Sequence, residues 1–305
     1  MRPHYQKTLG LLRDPRVRTE IAGLDPVRDC QRIVHLLVAY EFPWDITRAL
    51  ELALFYTYGS DSVARLLDRT GEFERRGQKR YDDTQILIGE FLESGWEGPR
   101  GRRALARMNA LHGRFSIPND DFLFVLWSFI DYPIRWAAEF AHRPFSAGEQ
   151  TAWFTFWCEI GARMGLRDVP GTRADFARFI EGYERVHLVY SEPSRRVADA
   201  TVRIMEGWLP RPLRFAVQPV ARSLVSERLR EALGYAPAPG WVRTGVRGAL
   251  KLRGHLSRHL ALGSYPSLMA TLRTRTYVEP VDAIEEIGPS RASETGKGGC
   301  AGRKP

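Results

Sequence analysis

The chain has 305 residues, of which 44% are hydrophobic and 27% charged, so it can bury a sizeable core and lacks the composition of a disordered protein. Its formal charge of +9 is local, because residues 211–275 contain 12 Arg or Lys against 2 Glu. One face is therefore expected to attract anions. The three cysteines are far apart and form no CxxC pair, which argues against a disulfide framework or zinc site and favours a reducing, cytoplasmic compartment.

Start and stop signals predict a series of helices in the first half of the sequence. The predicted helices run from Asp25 to the residue before Phe42, from after Asp45 to Tyr58, from Ser60 to Gly71, from Lys79 to Leu92 and from Pro99 to His112. The most apolar stretch of the chain lies between Phe122 and Phe140. Because Asp131, Pro133 and Arg135 interrupt it, this stretch is predicted to be a buried core helix and not a membrane span.

Helical signals continue in the second half. Ser146 and Glu149 have the spacing of a capping box, and further helices are predicted at 172–190, 194–208, 213–233 and 242–262. No stretch alternates apolar and polar residues as a strand does. The sequence therefore predicts an all-α fold, with one multi-helix domain over residues 1–288 and a disordered tail over 289–305. The first residues contain no apolar run of the signal-peptide kind.

Several catalytic and binding motifs are missing from the sequence. No two of the seven histidines have the spacing of HExxH or another metal-ligand motif. The sequence also lacks GxSxG, GxxxxGK[ST] and GxGxxG. Zinc hydrolase, α/β-hydrolase, phosphate-loop and dinucleotide-binding functions therefore have no support.

His112 is the histidine best placed to take part in a site. It ends a predicted helix whose inward face carries Leu105, Met108 and Leu111, and Gly113 then allows the chain to turn away. A histidine at a helix end beside an apolar surface can aim a ring nitrogen into a buried pocket, as a haem ligand must. The alternative is a histidine that only interacts with the helix dipole.

Six short stretches are informative through their order and spacing. They are TGEF at 70–73, QKRYDDT at 78–84, RMNALH at 107–112, NDDF at 119–122, RTY at 275–277 and IGP at 287–289. Together they resemble the MpaB/latex-clearing protein (rubber oxygenase) family of haem-b oxygenases, over a span from about residue 14 to residue 289.

The resemblance implies a helical core with globin-like features that encloses one non-covalent haem b with a single histidine ligand. His112 matches that histidine. The family's pocket arginine, distal residue and threonine match Arg80, Asp83 and Thr84. One neutral imidazole leaves a position on the iron open for O₂. The implied activity is oxidation of an apolar, isoprenoid-like substrate by O₂, with oxidative C=C cleavage as the candidate reaction.

The chain departs from the rubber-cleaving members at Asp83, where they have a lysine, and neither their catalytic glutamate nor their export signal is matched. The resemblance therefore supports haem binding more than it supports polyisoprene as the substrate. Asp83 has two interpretations: it enters the distal pocket and takes part in proton transfer, or it faces away and pairs locally.

Haem propionates require cationic partners, for which arginine forks are suited. The candidates are Arg80, Arg107 and either Arg195 or Arg196, of which the last two are expected to be solvated surface charges. His187 is the second candidate ligand, but a hydrogen-bonded core histidine is the favoured interpretation of its position.

A cationic stripe recurs every four residues along the predicted helix 242–262, formed by Arg243, Arg247, Lys251, His255 and His259. Its apolar side is expected to consist of Trp241, Val242, Val246, Leu250, Leu256 and Leu260. Such a helix can make peripheral contact with an anionic membrane, where an apolar substrate would dissolve. The equal alternative is a solvated helix packed on the core. No nucleic-acid partner is expected, since no nucleic-acid-binding motif is present.

Two hypotheses of different classes follow. The first is a haem-dependent oxygenase, and the second is a non-catalytic helical protein that binds apolar ligands or a membrane surface without haem. The Soret absorption of bound haem distinguishes them.

Overall fold

The structure, a computed structural model, describes residues 15–260, 263 and 267–289. Its regular elements are all helical over these residues, which confirms the all-α prediction. The helices are α1 (Pro15–Ala22), α2 (Cys30–Leu36), α3 (Pro43–Thr57), α4 (Asp61–Thr70), α5 (Glu72–Ser94), α6 (Pro99–His112), α7 (Asn119–Phe140), α8 (Ala147–Arg163), α9 (Arg173–His187), α10 (Glu192–Glu206), α11 (Val217–Leu224), α12 (Glu227–Ala232), α13 (Gly240–Leu256) and α14 (Leu268–Thr271). Leu37–Glu41 forms a π-helical turn, and Arg211–Ala216 and Ile284–Glu286 form 3-10 turns.

The core is built around α7. Helix α3 packs along α7, and α8 and α9 also contact it. Phe124 of α7, Trp153 and Phe156 of α8 and Phe176 of α9 have no exposed surface. The prediction of a buried core helix over residues 122–140 is therefore confirmed. Within the described ranges, no helix has both the length and the apolar character needed to cross a bilayer.

Helices α5 and α6 form a closely packed hairpin. At Gly101, a Cβ atom would lie 1.7 Å from the carbonyl oxygen of Gly95, so only glycine permits this approach of the two helices. Gly95 itself has a φ of +63°, which reverses the chain after α5. Helix α10 packs against α4 and α5. This hairpin carries the residues that the sequence singled out as a site.

Two helix starts lie farther from their predicted positions than the others do, which differ by about two residues. The helix expected from Asp25 begins at Cys30, because the Asp25 carboxylate accepts hydrogen bonds from the backbone N–H groups of Val27 and Arg28 and forms a turn instead. Helix α5 begins seven residues before the predicted Lys79, at Glu72, and contains a break at Arg76, whose φ and ψ are −142° and 37°.

Three C-terminal predictions also change. The helix expected over 213–233 is divided into a 3-10 turn, α11 and α12, because Val225 is extended and the Ser226 hydroxyl caps α12 at Leu229. The helix expected over 172–190 ends at His187. The helix expected over 242–262 is α13, Gly240–Leu256. The tail predicted over 289–305 lies, apart from residue 289, outside the described residues.

Candidate functional site

His112 is the last residue of α6 and is largely enclosed by protein. Its ring meets the ring of Phe122 edge-on at 5.4 Å. Leu105 is buried, and Met108 and Leu111 pack against the core, as predicted for the inward face of this helix. The Nδ1 atom of His112 is buried and has no hydrogen-bond partner among the residues that the structure describes. Buried polar atoms are almost always paired, so this nitrogen calls for an explanation.

The electrostatic surroundings keep the His112 imidazole neutral. Burial, followed by the nearby positive charge of Arg80, lowers the pKa of His112 to about 4. At neutral pH the ring therefore carries a nitrogen lone pair, which is the state that a metal ligand requires. Arg80 lies on α5, which packs against the helix that His112 ends.

Arg80 and Thr84 lie one turn apart on the same face of α5. The Arg80 guanidinium donates through Nη1 to the Thr84 hydroxyl, which in turn donates to the Arg80 carbonyl oxygen at 2.9 Å. The Arg80 Cζ atom lies 6.0 Å from the centre of the Phe73 ring. These contacts hold the guanidinium in a fixed position beside an aromatic wall.

Tyr58 joins this group from the end of α3. Its buried ring meets Phe73 edge-on at 5.3 Å. Burial raises the pKa of Tyr58 to about 12, although the charge of Arg80 acts in the opposite direction. The hydroxyl therefore keeps its proton at neutral pH. Sequence reasoning missed Tyr58 as a site residue, because no motif marks it and only the packing of α3 on the rest of the bundle brings it here.

The structure places Asp83 in a separate network on α5. Lys79 Nζ donates to both carboxylate oxygens, at 2.8 and 3.0 Å, and the Tyr277 hydroxyl donates to Oδ1 at 2.5 Å. Lys79 also donates to the Gly288 carbonyl oxygen at 2.7 Å. These contacts correspond to local pairing, one of the two interpretations that the sequence left open. A catalytic role for Asp83 stays a prediction.

Asp83→Asn is expected to lower the free energy of unfolding by about 2 kcal/mol, because it removes the buried charge to which the partly buried Lys79 and Tyr277 both donate. Urea denaturation measures this loss. Glu181→Gln is the matched control, since it removes one carboxylate charge from an exposed ion pair on α9 and should change stability by less than about 0.5 kcal/mol. Unchanged stability with an altered pH profile of oxygen chemistry would instead support the distal-pocket interpretation.

Residues 281–288, here called the C-terminal arm, lie along α6. Three arginines spaced by three or four residues on α6 donate to backbone carbonyls of the arm: Arg100 to Val281 at 2.9 Å, Arg103 to Asp282 at 3.0 Å and Arg107 to Ile287 at 2.6 Å. Arg100 also forms a fork onto the fully buried carboxylate of Glu90. Arg107 therefore anchors the arm, and its role as a propionate partner stays a prediction.

The other candidates lie apart from His112. Arg195 pairs with Asp199, and Arg196 pairs with Asp68 at the protein surface, in line with the surface role expected for both. His187 shares a hydrogen bond of 3.1 Å with Asp61, as favoured by the sequence, although the ring is only partly buried.

Two further features bear on the location of the site. A cavity of about 390 Å³ lies between α1, α2 and α8, and two of its three charged lining residues, Arg143 and Glu149, already pair with each other. No group of three or more His, Cys, Asp or Glu side chains suited to a metal ion occurs in the described part of the chain. The cluster of His112, Arg80, Thr84 and Tyr58 is therefore the candidate site, with one metal-ligating side chain.

The described residues form an all-helical fold in which a largely enclosed, neutral histidine ends one helix of a hairpin and a guanidinium held by Thr84 lies on the other. Residues 61–255 match the family described as ER-bound oxygenase mpaB/B'/rubber oxygenase, catalytic domain, which is more than half of the chain. The protein therefore belongs to this oxygenase family. The matched range includes Arg80, Asp83, Thr84, Arg107 and His112 and is shorter than the span of the resemblance seen in the sequence.

Two relatives of this family are each about 30% identical to the chain. The ER-bound oxygenase mpaB' of Penicillium brevicompactum is 31% identical over 220 residues, which cover 66% of this chain and 52% of the relative. The ER-bound oxygenase mpaB of Penicillium roqueforti (strain FM164) is 30% identical over 213 residues, which cover 64% of this chain and 72% of the relative. The matched part thus spans about half the length of the first relative.

Proposed function

We propose that this protein binds one non-covalent haem b through His112 and oxidises an apolar, isoprenoid-like substrate with O₂. The observation that carries the proposal is the place of His112 at the end of α6, where the imidazole is largely enclosed beside Phe122 and stays neutral at neutral pH. A ring in this state fits a haem iron as its ligand. Membership of an oxygenase family supports the reaction class.

Haem would supply the binding and activation of O₂. The residues around His112 would supply position and hydrogen bonds. Arg80 keeps a cation beside the imidazole, Thr84 fixes the direction of that guanidinium, and Tyr58 retains a hydroxyl proton that it can donate. Phe73, beside Tyr58, and Phe122, beside His112, would provide apolar surface for an apolar substrate. Within this proposal Asp83 has a positioning role, through Lys79 and the C-terminal arm.

The reaction class, oxidation at a C=C bond, is tested with a matched pair of substrates. The purified protein, supplied with haem, should show a Soret band and one haem per chain. It should then consume O₂ with squalene, an isoprenoid polyene, and not with squalane, its saturated counterpart. A protein that stays colourless after haem is supplied would favour the non-catalytic binder of apolar ligands. If the protein binds haem but consumes no O₂ with either hydrocarbon, the proposed substrate class would be wrong.

We also propose that the protein is located in the cytoplasm. Cys30 and Cys158 are both free thiols, and burial raises the pKa of each, that of Cys158 to about 12. Free thiols are typical of a reducing compartment. The names of the Penicillium relatives describe proteins bound to the endoplasmic reticulum, so contact with that membrane's cytoplasmic side is compatible with the proposal.

A further inference from the structure

Helices α11 and α13 and the 3-10 turn Arg211–Ala216 form one continuous part of the surface, here called the outer face. The 3-10 turn packs on α11, α11 packs on α13, and α13 packs on α7. The outer face contains large apolar side chains that are mostly in contact with solvent. Trp241 is 80% exposed, Phe215 78% and Leu252 60%, and Leu213 and Leu256 are also exposed.

The contacts of α13 determine which of its sides faces solvent. Arg247 pairs with Glu139 of α7, and Arg253 pairs with Asp45 of α3 and lies 4.0 Å from the centre of the Trp44 ring. At Gly254 a Cβ atom would lie 2.1 Å from the carbonyl oxygen of Phe140, so the backbone of α13 is in direct contact with the end of α7. The side of α13 opposite these contacts is the one that solvent reaches.

The side of α13 that faces solvent differs from the membrane-binding side expected from the sequence. Val242, Val246 and Leu250, expected on the apolar side, are partly buried, and Arg247, expected in the cationic stripe, turns toward Glu139. The alternative of a helix packed on the core is therefore right for one side of α13. The other side exposes Trp241, Leu252 and Leu256, and Lys251 lies at its border.

The charge of the outer face has one sign. Residues 211–224 and 240–260 contain 8 Arg or Lys and neither Asp nor Glu. Arg243, Lys251 and Arg258 are exposed, and none of the three forms an ion pair with an acidic residue in the part of the chain that the structure describes. Cations that border a surface with an exposed indole, a phenyl ring and leucines are complementary to a lipid headgroup layer, in which anionic groups lie above acyl chains.

We propose that the outer face docks on the surface of an anionic lipid bilayer, with Trp241, Phe215 and Leu252 entering the interface and Arg243, Lys251 and Arg258 contacting lipid phosphates. Nucleic acid is the less suitable occupant, because its phosphates would match the cations and leave the aliphatic side chains exposed. The docked protein would take up an apolar substrate from the membrane in which it is dissolved. The docking itself requires neither haem nor turnover, so it can succeed or fail independently of the proposed oxygenase activity.

The test is sedimentation of the full chain with vesicles of phosphatidylcholine, with and without phosphatidylserine. We expect binding only with phosphatidylserine, and a decline as salt screens the charges. Combined Arg243→Gln, Lys251→Gln and Arg258→Gln should weaken binding about a hundredfold, since each cation near the surface contributes roughly fivefold. Combined Trp241→Ser and Phe215→Ser should weaken it about tenfold or more.

Matched controls lie on or beside α9. Arg167→Gln, Arg178→Gln and Arg185→Gln remove the same charge from exposed positions, and Val186→Ser with Val189→Ser removes exposed apolar side chains. Neither control should change vesicle binding by more than about twofold. Equal losses in the control and test variants would overturn the proposal, as would binding that ignores phosphatidylserine. A doubled mass in the absence of lipid, if Trp241→Ser and Phe215→Ser reverse it, would show that the outer face binds a second copy of the chain. That result would also overturn the proposal.

Discussion

His112→Ala is expected to abolish stoichiometric haem binding, with haem affinity at least about a hundredfold weaker than in the unchanged protein. Loss of residues that only support a metal ligand already costs tenfold to a hundredfold in affinity, and His112 is the one metal-ligating side chain of the cluster. The residue ends α6 and contributes little to the core beyond its contact with Phe122, so the variant should still fold. Titration with haem, followed at the Soret band, measures the effect, and circular dichroism confirms the helices.

His187→Ala is the matched control for this variant. It removes a histidine that also ends a helix, but His187 pairs with Asp61 and stacks on Tyr183 and does not belong to the cluster around Arg80. Haem affinity should therefore stay within about twofold, with a stability loss on the order of 1 kcal/mol from the lost hydrogen bond. If the His112 variant kept a normal Soret band, or if His187→Ala removed it, the ligand would be assigned to the wrong histidine.

Gly101→Ala is expected to lower the free energy of unfolding by about 3 kcal/mol. The added methyl group would lie 1.7 Å from the carbonyl oxygen of Gly95, and backbone cannot move aside as the end of a side chain can. Helix α6 would have to move away from α5, which separates His112 from Arg80. The variant should therefore also raise the pKa of His112 toward its ordinary value. Chemical denaturation and an NMR titration of the imidazole measure the two effects.

Gly182→Ala provides the control of opposite sign. Gly182 lies inside α9, and no atom lies within 4 Å of a Cβ added there. Alanine should stabilise this helix by up to about 1 kcal/mol, because glycine loses more backbone freedom on folding. A Gly101→Ala protein as stable as the Gly182→Ala protein would mean that α5 and α6 are not held together as closely as the structure has them.

Helix type and helix ends were predictable where the signal was local. The Ser146 and Glu149 capping box is present, with hydrogen bonds in both directions, because both partners lie within one turn of each other. The early start of α5 was missed because its first residues, from Glu72 to Arg76, are polar apart from Phe73 and show no apolar periodicity. The division of the helix expected over 213–233 was missed because it depends on Ser226. A serine can equally lie inside a helix with its hydroxyl in solvent.

The candidate site was predictable only in part, for a physical reason. His112, Arg80 and Thr84 could be named from short motifs, and the close packing of two consecutive helices places them together. Tyr58 lies outside those motifs, and its contact with Phe73 depends on how α3 packs in the bundle. One of the two partners of Asp83 could not be predicted, because Tyr277 is 194 residues away in the sequence, whereas Lys79 lies one turn away on the same helix.

The C-terminal arm is synthesised long after α6, the helix along which it lies. The hydrogen bonds from Arg100, Arg103 and Arg107 to the arm join residues that are 179 to 181 positions apart. At 5 to 20 residues per second, a ribosome completes α6 roughly 10 to 35 seconds before the arm is synthesised. During that interval the arginines on this side of α6 remain hydrated and the end of the helix near His112 lacks its cover. Closure by the arm is thus among the last steps of folding, so a cofactor that enters beside α6 can arrive before the arm is in place.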